Sequence, residues 1–317
     1  HPVAHSFPTR RSSDLTVKET IDPCGNRTDQ VQRIFTWHQG KPYEVLISEV
    51  MADPFPSAGL PEAEYLELHN ATGFDISLSG WKLWFDDQPV VLERLILPGN
   101  GFIILCKDNH AADFEEWGTV YPIEGMPAIS NGGATIVLED DRGEVISFVC
   151  YTQDWYRDEY KREGGWSLEQ VDPRNPCGGM SNWYPSEAIP GGTPGRANSV
   201  AGDHPDLEEP RLLFAGVEDS CTLLLHFSEP LRPTEAGHPR SYTVRGMGHP
   251  TAAYPLKPDF HQVKLVWKKP FRPYTRYQLE VKGSLTDCAG NMLGYTDAIP
   301  FELPCPAKPG DVVINEL

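Results

Sequence analysis

The longest unbroken apolar run in this chain, Phe102-Ile103-Ile104-Leu105-Cys106, is far short of the roughly 18 residues that a membrane span needs. No heptad is sustained anywhere, which excludes a coiled coil. None of the seven cysteines (Cys24, Cys106, Cys150, Cys177, Cys221, Cys288 and Cys305) falls in a C-x-x-C pair, so a structural zinc site has no support. Positive charge is scarce. The 27 Lys and Arg stand against 45 Asp and Glu, and the net charge of −18 repels nucleic-acid backbones and anionic lipid. Catalytic motifs are missing too. There is no G-x-S-x-G elbow, no H-E-x-x-H and no Walker lysine behind Gly191-Gly192-Thr193-Pro194-Gly195. His69, His110, His226 and His261 stand isolated, without ligand spacing. The chain is therefore expected not to be an enzyme.

What the sequence does have is punctuation. Thirty prolines and 28 glycines suit short strands and turns better than helices. Strands are expected at 45–50, 64–70, 90–97, 101–106, 134–139 and 144–150. Between them lie turns such as Pro98-Gly99-Asn100, Asn131-Gly132-Gly133 and Asp140-Asp141-Arg142-Gly143. Glu64–Asn70 alternates in period two with Leu66 and Leu68 on one face, so it reads as half-buried. Only Ala111–Trp117 hints at a helix. Residues 164–199 are dense in Gly, Pro, Asn and Trp, which suggests a closing loop pinned by buried aromatics. A second β series runs over 203–305 and includes Thr222–Phe227, Gln262–Lys268 and Tyr277–Lys282. The fold class expected is all-β, with two antiparallel β-sandwich (Ig-like) domains in tandem.

Two stretches about 265 residues apart are nearly the same. Val17-Lys18, Asp22-Pro23-Cys24-Gly25-Asn26 and Val45–Val50 recur as Val281-Lys282, Asp287-Cys288-Ala289-Gly290-Asn291 and Val312–Leu317. A repeat of this length marks a window on an array of modules. Each copy reads as a junction, the close of one module followed by the opening strand of the next. Residues 1–15 resemble the translation of a sequencing adapter and are expected to be an artefact without a place in the fold. The native N-terminus, with any signal peptide, is then expected to lie outside the fragment. Disulfides are plausible, and Cys150–Cys177 and Cys288–Cys305 are the nearest pairs, but spacing leaves the connectivity open. The sequons Asn26-Arg27-Thr28 and Asn70-Ala71-Thr72 read as chance.

A family resemblance rests on Ile47-Ser48-Glu49-Val50-Met51-Ala52-Asp53-Pro54, Gly59-Leu60-Pro61, Glu64-Tyr65-Leu66-Glu67-Leu68, Leu78-Ser79-Gly80-Trp81, Leu97-Pro98, Gly164-Gly165-Trp166-Ser167-Leu168-Glu169 and Gly191-Gly192-Thr193-Pro194-Gly195 with Asn198-Ser199. In this order they resemble the bacterial lamin tail domain over about 43–200. Phe227-Ser228-Glu229-Pro230, Tyr277-x-Leu279-x-Val281 and Asp287-x-x-Gly290-Asn291 look like a bacterial Ig-like domain over about 203–305. The expected order is thus an artefact (1–15), the end of a truncated Ig-like module with a linker (16–42), a lamin tail domain (43–200), an Ig-like domain (203–305), then a linker with the first strand of a second lamin tail domain (306–317). The resemblance implies a non-catalytic exported array of the kind found in large Bacteroidota proteins. It would sit outside the cell or at its surface and serve adhesion, scaffolding or spacing. Its partners would be neighbouring modules and an unknown surface polymer or protein, with no nucleic acid and no membrane span. The alternative implied is an accessory role beside an exported hydrolase or nuclease domain.

Glu49, Asp53 and Glu67, with Glu62 and Glu64, could gather around Ca²⁺, a weak candidate for a cofactor in a chain otherwise expected to have none. The plainer expectation is that Glu64 and Glu67 are solvated strand residues and that Asp53 caps a turn. The Asp-x-x-Gly-Asn segments invite Ca²⁺ as well. A tight turn explains them more simply, with the Asp side chain on backbone amides and Gly at positive φ. Trp81, Trp166 and Trp183 are expected as core plugs. Trp155-Tyr156 beside Arg157 is the better candidate for an exposed binding surface.

Overall fold

The structure, a computed structural model, describes residues 10–17, 21, 23–27, 31–281, 285–294, 298–304 and 316. Among these the chain divides into two compact units. One holds the residues up to Pro173 together with Trp183–Ala201, and the other holds Arg174–Asn182 and the residues from Gly202 onward. Both units are β-sandwiches. Residues 174–182 belong to the second unit, although they lie inside the 43–200 span that the sequence pattern gives to the first.

In the first unit a six-stranded sheet runs in the order Val120–Ile123, Phe102–Lys107, Tyr65–Asn70, Val45–Met51, Leu168–Gln170, Trp183–Pro185. Its pairings are antiparallel except that of Val120–Ile123 with Phe102–Lys107. The second sheet runs Val145–Thr152, Gly133–Glu139, Lys82–Phe85, Gln88–Val91, with antiparallel pairing throughout. Ile47, Leu66, Leu68, Ile103 and Leu105 of one sheet share a core with Leu83, Ile136, Leu138 and Ile146 of the other. A smaller core on the far face of the six-stranded sheet joins Met51, Tyr65, Ile104 and Cys106 to Leu60 and to Phe114 of the short Ala111–Phe114 helix.

That second core changes the reading of the central strands. Val45–Met51 is buried along its whole length, and in Tyr65–Asn70 only His69 is not fully buried. Tyr65–Asn70 was expected to be half-buried because period two reports only the sheet's own two faces. What covers the outer face comes from distant segments, here the Ala111–Phe114 turn and the loop near 190–200. Asn70 of the second sequon is itself buried, and its Nδ2 donates to the carbonyls of Phe74, Leu97 and Pro98.

Arg10–Val17 and Val31–His38 pair as an antiparallel hairpin, so the end of the adapter-like segment occupies a strand. A lone two-stranded hairpin is marginal in water. This one reaches the first unit through its end, where His38 bridges Ile76, hydrogen-bonds Glu44 at 2.7 Å and stacks obliquely on Phe74. The unit's edge therefore begins near His38 rather than residue 43. The expected strand Val312–Leu317, Asp22 and Cys305 lie outside the described residues.

In the second unit, Leu212–Asp219, Thr222–Phe227, Gln262–Val266 and Ala252–Pro255 form one antiparallel sheet, and Tyr242–Val244, Arg276–Val281 and Ile299–Glu302 form the other. Leu223, Leu225, Val263 and Leu265 meet Tyr242, Leu279 and Phe301 in the core, where Phe271 packs edge-on against Tyr277 and Phe301. Cys177 and Cys288 form a disulfide within this unit. Neither nearest-neighbour pairing therefore holds for these two cysteines, because the sheets bring residues 111 apart in sequence side by side. Cys106 and Cys221 take part in no disulfide among the described residues.

Candidate functional site

The densest concentration of ionisable chemistry in the first unit is a row of three glutamates across adjacent strands. Glu49 is the cross-strand partner of Glu67 on one side and of Glu169 on the other. All three are 0 % exposed. A bulge between Ile47 and Glu49 leaves Ser48 without a register partner on the Tyr65–Asn70 strand. Ser48 Oγ then donates to Glu67 Oε1 at 2.7 Å, and its carbonyl accepts from Asn198 Nδ2 at 2.9 Å.

The lid over this row is the segment Gly191–Val200. Thr193 N donates to Glu49 Oε1 at 2.8 Å, Thr193 Oγ1 to Glu169 Oε1 at 2.9 Å, and Gly195 N to Glu67 Oε2 at 2.7 Å. Ser199 Oγ and Val200 N both reach Glu169 Oε2, at 2.7 and 3.1 Å. From below, Tyr65 Oη and Ser167 Oγ each donate to Glu49 Oε1 at 2.6 Å. Two glycines make the approach possible. A Cβ on Gly192 would lie 2.4 Å from Tyr65 Oη and 2.7 Å from Glu49 Oε1. Gly195 holds φ +80 with the Trp117 carbonyl 2.4 Å from where its Cβ would be.

The hydrogen bonds described for these carboxylates come from hydroxyls and backbone amides. Burial, and then the charge of Glu169, pushes the Glu49 carboxyl up to about 7. Burial, and then Glu49, holds Glu67 well above the ordinary carboxylate range. A carboxyl that titrates near neutrality is a common mark of acid–base catalysis. That chemistry needs contact with a substrate, and here every member of the row is sealed beneath the Gly191–Val200 segment. The arrangement works instead as a latch. Carboxyl acceptors on the sheet and neutral donors on the loop fasten the closing segment in place.

The structure thus brings Glu49 and Glu67 together and buries Glu67, which was expected to be solvated. It places Asp53 elsewhere, partly exposed on a cavity of about 300 Å³ shared with Glu62, Glu64, Lys107 and His110. Lys107 Nζ sits 3.1 Å from Glu64 there. Glu169 was not among the candidates, although its place in Trp166-Ser167-Leu168-Glu169 beside the Gly- and Ser-rich closing segment was the available signal. Among the described residues, the three carboxylates that converge closely enough for one cation lie in the second unit, at Asp206, Glu229 and Asp287.

The aromatic surface also moves. Trp155 and Tyr156 are buried, at 8 % and 3 % exposure, and Trp155 packs near Trp183 in the core. Trp81 and Trp183 are core plugs as expected, and Trp166 is partly buried against the same core. Exposed aromatics of the first unit include Phe55, Tyr160 and Tyr184. The Arg157 guanidinium lies 3.9 Å over the Tyr184 ring, and Lys161 Nζ lies 4.7 Å over Trp166.

Comparison with known proteins gives one family. Residues 38–153 match the model of the Lamin Tail Domain, a span that contains Glu49 and Glu67 but ends before Glu169 and the lid. Among solved structures, the N-terminal part of the bacterial S-layer protein SbsC is 19 % identical, over 32 % of this chain and 25 % of that one, with a TM-score of 0.28. Domains 1–6 of surface layer protein SbsC are 17 % identical, over 32 % of this chain and 15 % of that one, with the same score of 0.28. The chain spans a quarter or less of these proteins. No curated protein matches it. The family match thus covers the central strands that carry Glu49 and Glu67, and over residues 38–153 this chain is similar to the lamin tail domain.

Proposed function

We propose that this chain is a non-catalytic structural segment of an exported array, in which the lamin tail unit and the Ig-like unit act as rigid spacers and scaffolds at a cell surface. The observation that carries the reading is the latch. The three buried glutamates of the first unit's central strands are spent on fastening its own closing loop, and all three are sealed from solvent. A segment closed in this way suits a module that must keep its shape while its two ends are tethered to neighbours. Among the described residues no helix is long and apolar enough to cross a membrane. The lamin tail unit is read as a protein–protein module, and Tyr160 and Tyr184 with their cationic neighbours are where a protein or polymer partner would be sought.

The test is mechanical and chemical together. The full chain, tethered by its ends and stretched, is expected to give two separate cooperative unfolding events. It is also expected to leave chromogenic phosphodiester, ester and glycoside substrates untouched. Turnover above the buffer blank that survives repurification would overturn the non-catalytic reading. Gradual extension at low force, with no cooperative event, would overturn the spacer reading.

A further inference from the structure

We propose that Asp206, Glu229 and Asp287 of the second unit, together with the side-chain amide oxygen of Asn175, form a binding site for a hard divalent cation, with Ca²⁺ as the best fit. Three separate segments deliver the carboxylates: the stretch that follows Gly202, the Ser228-Glu229-Pro230 turn after the Thr222–Phe227 strand, and the Asp287–Asn291 turn. One oxygen from each lies within 4.8 Å of the others. Donors set around one Ca²⁺ at about 2.3–2.6 Å have separations of this size.

The second observation comes from a different residue type. Asn175 is 3 % exposed and lines the same cavity of about 770 Å³ as Asp206 and Glu229. Its Nδ2 donates to the His204 carbonyl at 3.2 Å, two residues before Asp206, which fixes the amide against that segment. Its Oδ1 is buried and has no hydrogen-bond partner among the described residues. A buried acceptor left unpaired in a wall beside converging carboxylates is what a site for a positive ion presents before it is filled. The disulfide supports the placement, since Cys177 follows Asn175 by two residues and Cys288 follows Asp287 by one. The bond therefore ties the amide and the carboxylate turn to the same place.

The turn itself is built as its sequence suggests. Asp287 Oδ1 accepts from Gly290 N at 2.6 Å and Asn291 N at 2.9 Å, Oδ2 accepts from Asn291 Nδ2 at 2.8 Å, and Gly290 holds φ +102. An ionised carboxylate offers about four lone-pair positions, so these bonds leave room for a cation. Asp206 Oδ1 accepts from Glu208 N at 3.1 Å. Positive charge nearby is limited. Arg211 faces Glu229, and Arg232 donates to the Cys288 carbonyl. Burial, and then the charges of Asp206, Asp287 and Glu208, pushes Glu229 up to about 7, and burial raises Asp206 as well. The donors are all oxygen, charged and neutral, which favours Ca²⁺ over a thiophilic metal. Cys288 is tied up in its disulfide.

The test uses the full chain with its disulfide intact, stripped with chelator and titrated with CaCl₂ at pH 7.5 in physiological salt. One site is expected, with Kd on the order of 10⁻⁴–10⁻³ M as in other extracellular modules, and an upward Tm shift for the second unit. Glu229→Gln and Asp206→Asn should each weaken binding at least tenfold. In chelator their Tm should equal or exceed that of the parent, because each removes repulsion, and this shows that they fold. Asn175→Ala should weaken binding less, and Glu280→Gln, at an exposed position of the Arg276–Val281 strand, should change nothing. Undiminished Ca²⁺ binding in both carboxylate variants, or no heat and no Tm shift in the parent, overturns the proposal. So does an effect that MgCl₂ and NaCl reproduce at matched ionic strength.

Discussion

The two units each gather three carboxylates, and they treat them in opposite ways. Glu49, Glu67 and Glu169 are wholly buried and met by hydroxyls and backbone amides of the protein. Asp206, Glu229 and Asp287 converge on one another, two of them on a cavity that Asn175 also lines. In the first case the row supplies acceptors, the loop supplies donors, and a retained proton relieves the repulsion. In the second the acceptors outnumber the donors. A carboxylate is thus a fastener where N–H and O–H groups take up its lone pairs, and a candidate ligand where lone pairs are left over.

Removing a fastener should do the greatest damage. Glu49→Ala would leave Tyr65 Oη, Ser167 Oγ and Thr193 N without their acceptor and open a void beneath the lid. We expect a loss of about 3–5 kcal/mol from the first unit in denaturant unfolding. Glu49→Gln keeps the volume and removes the charge, so it should cost much less. If the two substitutions were equally harmful, charge rather than packing and donor satisfaction would be what holds the loop. Next in size is the disulfide of the other unit. Cys177→Ser with Cys288→Ser frees a loop of 111 residues in the unfolded chain. It should cost about 2–4 kcal/mol, confined to the second unfolding transition. An equal loss in the first transition would contradict the division into two units.

The pH dependence comes third and sharpens the contrast. Glu49 is raised from 4.5 to about 7 in the fold, so between those values the native state holds a proton that the unfolded chain has released. The contribution of Glu49 to the first unit's stability must then fall as pH rises from about 4.5 to about 7 and level off above, by at most about 3 kcal/mol, and the raised Glu67 adds a loss of the same sign. Thermal unfolding at pH 5, 6, 7 and 8 measures it. A first unit whose stability rose across this range would show the row to be ionised throughout.

Much of the architecture was legible because sandwiches announce themselves through turns. Pro98-Gly99-Asn100, Gly80-Trp81 and the Asp-x-x-Gly-Asn segment each mark a strand end by what their backbone must do. The latch was legible only in pieces. Glu49 and Glu67 stood out as acids on apolar strands, but their burial depends on a loop more than a hundred residues away in sequence. Nothing in Glu64–Asn70 itself reports that its outer face is covered. Trp155 and Tyr156 misled for the same reason, since Arg157 beside them suggested water while the rings turn into the core. The Cys177–Cys288 bond was hidden because residues 174–182 leave one unit's sequence span to join the other.

The smallest effect separates the two clusters most cleanly. Glu229, raised to about 7 and only partly buried, should give the second unit a pH trend of the same sign as Glu49, falling as pH rises from 4.5 toward 7. Solvent reaches that cluster, so salt should flatten the trend. It should leave the first unit's trend almost unchanged, because the Glu49 row is sealed. Ca²⁺ acts on one cluster only. With millimolar Ca²⁺ present, ionised Glu229 becomes the bound form, so the second unit's downward trend should flatten, while the first unit keeps its slope. Parallel responses of both units to salt and to Ca²⁺ would mean that the two clusters are not the different devices their geometry describes.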